Sequence, residues 1–238
     1  PTSQYVFQSV KYAYKKIYGI DDKCKKIIIF HDNLMAATNS GVYLIEGQTA
    51  EPLIQQKNIN TIYASKKFPD CIYAGTNKGI IEINFHKENR NFEYINAQVH
   101  SIQEDDKYNI WLGCENEIIK LSVDETGLPG RQRIYSVPSG FSEKITVRIV
   151  SGDLFFFSSN KVYGYKEDTD EIIEVGYFND GTNNSHLRIV SNDTYTWVNN
   201  EAEWSGYGDK EQLAIKKISY LNIFNNLRFI HLNNKNQC

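Results

Sequence analysis

A large apolar residue recurs along this 238-residue chain about every forty positions, and each time a second apolar residue follows seven positions later. The pairs are Met35 and Val42, Tyr73 and Ile80, Trp111 and Ile118, Phe155 and Val162, and Trp197 and Trp204. Their first members lie 38, 38, 44 and 42 residues apart. The sharpest copy, Asn109 to Leu121, reads as strand, turn, strand. Ile110, Trp111 and Leu112 are strong strand formers, Glu115, Asn116 and Glu117 suit a turn, and Ile118, Ile119 and Leu121 resume an apolar strand. Short strands repeating at this period are the signature of a β-propeller, in which each small sheet buries its faces against its neighbours.

The repeat sets the organisation. Five complete four-stranded blades are expected near residues 26–56, 59–96, 99–137, 145–178 and 186–218, all in one propeller domain. Partial blades are expected at 5–20 and 226–238. Either these halves close together as a sixth blade, which would remove open strand edges, or the chain is part of a larger ring. Gly41 and Gly79 end two of the hairpin turns, where a positive φ suits glycine. Glu117, Lys161 and Glu203 hold the matching place in the other three, so those turns must differ.

Composition narrows the function. The net charge of −3 argues against a broad nucleic-acid footprint. No apolar run approaches the roughly 20 residues needed to cross a bilayer, so direct membrane insertion is not expected. The chain opens on Pro1-Thr2-Ser3 in what reads as mid-protein, so a targeting segment is expected outside it. The four cysteines, Cys24, Cys71, Cys114 and Cys238, form no CxxC pair. Cys71 and Cys114 fall in expected strands as small buried hydrophobes. The five histidines show no metal-ligand spacing, and no nucleophile elbow or phosphate loop is present, so neither metal, cofactor nor catalysis is expected. The acidic runs Glu104-Asp105-Asp106 and Glu167 to Glu171 read as solvated turns between strands.

Strand a ends in acidic or Asn residues, then come Trp-x-Gly, a short turn and Ile-Ile. That order resembles the two-component regulator propeller repeat. Val99 to Leu121 is the closest copy, and Ile59 to Ile83 keeps Gly75-Thr76 and Gly79 with Tyr73 in place of Trp. The motif is sharp only over residues 26–122. The resemblance implies the periplasmic sensor region of hybrid two-component systems of gut Bacteroidetes. There, propellers precede a membrane helix, a histidine kinase and a response regulator, and known members sense glycan-derived oligosaccharides. It implies binding of an oligosaccharide and contact with the remaining domains of a parent sensor; another small anionic ligand, suggested by the arginines below, and a homodimer are further expectations. The rival expectations are a polysaccharide-acting propeller enzyme, lyase or glycosidase, and a protein–protein scaffold.

Candidate contacts come from the residues, since the repeat motif is structural. Trp111, Tyr73, Phe155 and Trp197 are expected to pack between adjacent sheets rather than stack on sugars. Three of the six arginines, Arg148, Arg188 and Arg228, recur at exact intervals of 40 on expected innermost strands. If they face the channel they form a basic arc suited to carboxylate or sulfate groups. The other outcome is pairing with local carboxylates. The face carrying the d-to-a loops and b-to-c turns would also present His100, Asn179, Asp180, Asn184, His186, Asn200 and Glu201. The ligand set expected is therefore Arg148, Arg188, Arg228, His100 and His186.

Overall fold

The computed structural model describes residues 16–56, 58–124, 129–137, 144–150, 152–158, 161–176, 188–191, 196–199, 204–207 and 216–217. They form five four-stranded antiparallel sheets, each in simple meander order. Blade 1 holds β1 (Cys24–Phe30), β2 (Asn33–Thr38), β3 (Val42–Glu46) and β4 (Thr49–Ile54). Blade 2 holds β5 (Ile59–Ala64), β6 (Cys71–Thr76), β7 (Gly79–Asn84) and β8 (Arg90–Phe92), followed by a 3-10 turn at Glu93–Ile95. Blade 3 holds β9 (Ser101–Glu104), β10 (Ile110–Gly113), β11 (Glu117–Val123) and β12 (Pro129–Ser136). Blade 4 holds β13 (Thr146–Val150), β14 (Asp153–Phe157), β15 (Val162–Lys166) and β16 (Glu171–Val175). Blade 5 holds β17 (Arg188–Ser191), β18 (Thr196–Asn199), β19 (Trp204–Tyr207) and β20 (Lys216–Lys217).

The second strands of blades 2 and 3 are sandwiched on both faces, and so run apolar or small. All six residues of β6, CIYAGT, are buried. Four separate cores fill the four junctions between consecutive blades. Phe30, Met35, Ile62 and Ile72 lie between blades 1 and 2. Tyr73, Ile102 and Leu112 lie between blades 2 and 3. Trp111, Val147 and Phe156 lie between blades 3 and 4. Phe157, Val162 and Val198 lie between blades 4 and 5. Stacking, not any one sheet, thus provides the burial. Cys71 and Cys114 sit in these buried layers as free thiols.

Trp111 and Tyr73 occupy the expected place, with 0% and 1% of their surface exposed. Phe155 and Trp197 are only half-buried. In blade 4 the fully buried ring is Phe156, which packs on Trp111 from the opposite face of its strand. Phe155 faces blade 5, where the cluster is smaller.

The turns refine the glycine argument. Gly79 does adopt a positive φ, of 108°. Gly41 does not; an added Cβ there would lie 2.2 Å from the Ile54 carbonyl oxygen, so close approach is the constraint. In blade 3 the left-handed residue is Asn116, at φ 63°, one place before Glu117. Gly113, of the Trp-x-Gly motif, is held by contact, because a Cβ would meet Ser101 Oγ at 2.4 Å and the Ile145 oxygen at 2.5 Å.

Among the described residues, the loops entering blades 2, 3 and 4 are each tied to the turn of the blade before. Val99 N–H donates to the Thr76 carbonyl, and Ile145 N–H to the Cys114 carbonyl. The half-blade expected at 5–20 takes a different form where it is described. Residues 16–20 contribute one parallel bridge, Tyr18 to Thr49, along the outer edge of β4. Residues 5–15 and 226–238 lie outside the described residues. Ile27, Ile29 and Leu34 stay exposed on the face of blade 1 whose counterparts in blades 2, 3 and 4 pack on the preceding blade.

Candidate functional site

The innermost strands β1, β5, β9 and β13 stand side by side in order. Cross-strand register sorts their residues into levels. Lys26 pairs with Ala37, Thr61 with Gly75, Ser101 with Gly113, Thr146 with Phe157, and Arg188 with Asn199, so these five inner residues share one level near the loop-bearing mouth. Arg148 pairs with Phe155, two residues deeper. Arg148 and Arg188 therefore do not share a level, despite their equal spacing in sequence. The a–b loop explains the offset: Val150 pairs with Asp153 across two residues, whereas Ser191 pairs with Thr196 across four. The side chains of Arg188 and all of Arg228 and His186 lie outside the described residues, as do Asn179, Asp180, Asn184, Asn200 and Glu201.

The structure brings a different set of cations to Arg148. Lys26, on β1, sits close enough to Arg148, on β13, for the two like charges to repel. Lys26 is half-buried, and its Nζ reaches only Thr61 Oγ1, at 3.4 Å. Burial, then the Arg148 charge, lowers its pKa to about 8. The Arg148 side chain is exposed to solvent, and the protein packed around its base lowers its pKa below the usual guanidinium value. Among the described residues, no carboxylate pairs with either group.

A second group lies at the mouth. Lys25 Nζ donates to Asn60 Oδ1 at 3.0 Å, and Asn60 Nδ2 in turn donates to Asn77 Oδ1 at 2.8 Å. Burial lowers the Lys25 pKa; Asp22 opposes this, and Lys144 and Lys23 add to it. His100, half-buried just before β9, is pushed down by burial and then by Lys144 and Lys25, with Glu115 opposing. An isolated bridge between Glu115 and Lys144 joins the blade 3 turn to the loop entering blade 4. Of the expected contacts, Arg148 lies on β13 and His100 just before β9. Lys25, Lys26 and Lys144 are additions. One signal for Lys26 was present: it precedes Met35 by nine residues, as Arg188 precedes Trp197.

Such crowding costs stability. A lysine whose pKa is lower in the folded chain than in the unfolded chain binds its proton less well when folded. The folded state is therefore penalised below pH 8, and the penalty fades as pH rises toward the unfolded value of 10.5. Replacing Lys26 by Gln is expected to raise unfolding free energy by on the order of 1–2 kcal/mol at pH 7. The gain should vanish near pH 10.5; urea titrations across that range check it.

The opposite face is arranged differently. A groove of about 510 Å³ between blades 3 and 4 is lined by Asp105, Lys107, Lys120, Phe155, Tyr165 and Glu167. Its charges are largely spent on one another: Lys107 pairs with Glu167, and Lys120 with Asp170 at 3.8 Å. Asp170 also accepts from Tyr165 at 2.7 Å and from Tyr135 and Arg133. On the same face His31 and His86 both approach Asp70. The groove is thus largely satisfied internally, whereas Lys26 and Arg148 on the inner strands pair with no carboxylate among the described residues.

The fold is that of a β-propeller, with Lys26 and Arg148 on its inner strands. Comparison with solved structures agrees on the fold. The extracellular domain of a hybrid two-component system from B. thetaiotaomicron matches 85% of this chain with a TM-score of 0.64 and 13% identity. A streptogramin B lyase matches 84% of it with a TM-score of 0.63 and 14% identity, over 70% of the lyase. An ancestral GH74 enzyme matches 84%, with a TM-score of 0.61 and 9% identity. This chain spans 28% of the two-component protein's domain and 31% of the GH74 enzyme. No family model and no curated protein matches by sequence. No helix among the described residues is long and apolar enough to cross a membrane.

Proposed function

We propose that this chain is a ligand-sensing propeller from the extracytoplasmic part of a hybrid two-component sensor, and that its task is binding, not catalysis. The observation that carries this is the set of cations on the inner strands, Lys26 and Arg148 above all, which repel one another and pair with no carboxylate among the described residues. A propeller selected only for packing gains nothing from two neighbouring like charges; a ligand that neutralises them gives them a role. The repeat motif over residues 26–122 and the likeness to an extracellular two-component domain support the sensor setting. The ligand class is a glycan-derived oligosaccharide. Its binding would favour one arrangement of the propeller relative to the rest of the sensor, and the shift would pass inward to a kinase.

The test is a calorimetric screen of glycan-derived oligosaccharides against the chain and against Arg148→Gln. At least one is expected to bind, with affinity falling tenfold or more in the variant while the melting temperature holds. Binding that ignores Arg148→Gln, or no binding across the screen, would sink the proposal.

A further inference from the structure

Two layers of positive charge occupy the same channel. The deeper position is held by Arg148; Lys26, one level above it on β1, is near enough for the two charges to repel. The outer layer is Lys25, Lys144 and His100, mutually close at the mouth. Along β13, Arg148 lies two residues below the level that Lys26 shares with Thr146, about 7 Å of strand. Lys144 lies before that strand, beyond the rim. The cations are thus distributed along the axis rather than clustered at one point.

We infer that this channel takes a ligand bearing at least two oxyanion groups, carboxylate or sulfate ester, set along its length so that one meets Arg148 and Lys26 while another meets Lys144 and Lys25. The inference rests on the channel being the ligand site, and it adds the ligand's charge and valence. A monoanion neutralises one layer and leaves the other repelling itself. A dianion relieves both, and the second contact is made at high effective concentration once the first is in place. The planar guanidinium of Arg148 suits the deeper place, because its parallel N–H groups match the two oxygens of a carboxylate or sulfate. Asn60 and Thr61, which accept from the two lysines, hold those ammonium groups at the wall instead of letting them extend into bulk water. Glu115, beside Lys144, and Asp22, near Lys25, border only the outer layer, so selectivity for charge is strongest deep in the channel.

The experiment uses citrate as the multivalent probe, acetate as the monovalent one and a neutral trisaccharide as the uncharged one, with calorimetry on the whole chain. Citrate is expected to bind at least tenfold more tightly than acetate, with an affinity that falls as salt rises. Arg148→Gln and Lys144→Gln should each weaken citrate fivefold or more. Lys87→Gln, an exposed lysine in the loop after β7, should leave it unchanged. Citrate binding no better than acetate, or binding equally sensitive to Lys87→Gln, overturns the inference. The two proposals separate cleanly. If a neutral oligosaccharide binds and depends on Arg148 while citrate does not bind, the sensor reading stands and the dianion falls. If citrate binds as stated and no oligosaccharide does, the dianion stands and the glycan reading falls.

Discussion

Trp111→Ala is expected to remove about 3–5 kcal/mol of unfolding free energy, the range for emptying a large aromatic site in a core. Trp111 has none of its surface exposed and joins two blades. Its ring lies 5.8 Å from Tyr135 in its own sheet, and 5.4 and 4.6 Å from Phe156 and Tyr165 in the next. Its indole N–H donates to Asp105 Oδ2 at 2.8 Å, fixing the a–b loop of blade 3, and Lys120 lies over the ring at 5.1 Å. Removing the side chain opens a cavity at a junction and frees a loop carboxylate. Trp111→Phe keeps most of the packing and loses the donor, so its deficit should be well under half as large. Urea denaturation of both variants checks the pair. A near-neutral Trp111→Ala would mean that the blade 3–4 junction does not depend on this ring.

Arg90→Leu is expected to cost a comparable amount, about 3–5 kcal/mol, for an electrostatic reason. Glu82 on β7 is 1% exposed and faces the junction with blade 3 beside Tyr73. Arg90, across the strand pair, donates to it through Nε at 3.2 Å and through Nη2 at 2.7 Å to each oxygen. Taking away the guanidinium strands a buried carboxylate. Replacing both residues by Leu removes the charge with its partner, so the double variant should recover most of the loss. Denaturant melts of the two single variants and the double give the coupling. A double variant as unstable as Arg90→Leu alone would show that the cost lies in packing instead of charge.

These two residues mark what could be read early and what could not. Trp111 announced itself, because an aromatic recurring every forty residues beside a turn has few places to go except between sheets. Glu82 did not: a glutamate within Gly79–Asn84 looks like any solvent-facing strand residue until the neighbouring blade covers it. Glu104 is the same case. Read as part of an acidic turn, it is 1% exposed and accepts from Ser65 Oγ at 2.7 Å and from the Lys66 and Lys67 amides of the preceding blade. At the inner strands, Arg148 and His100 were singled out from strand position alone. Lys25 and Lys26 were hidden in a basic run, Lys23 to Lys26, that looks like an ordinary solvated edge.

By itself, then, the amino-acid order determined the blades: period, strand content and turn positions are local matters, set by residues within about ten of each other. Only the tertiary structure decided which charges meet. Lys26 and Arg148 are more than a hundred residues apart in sequence. Their encounter depends on how many blades separate them and on loop lengths that shift register by two residues. Charges act through space, and a repeating sequence says little about distance across the ring it builds.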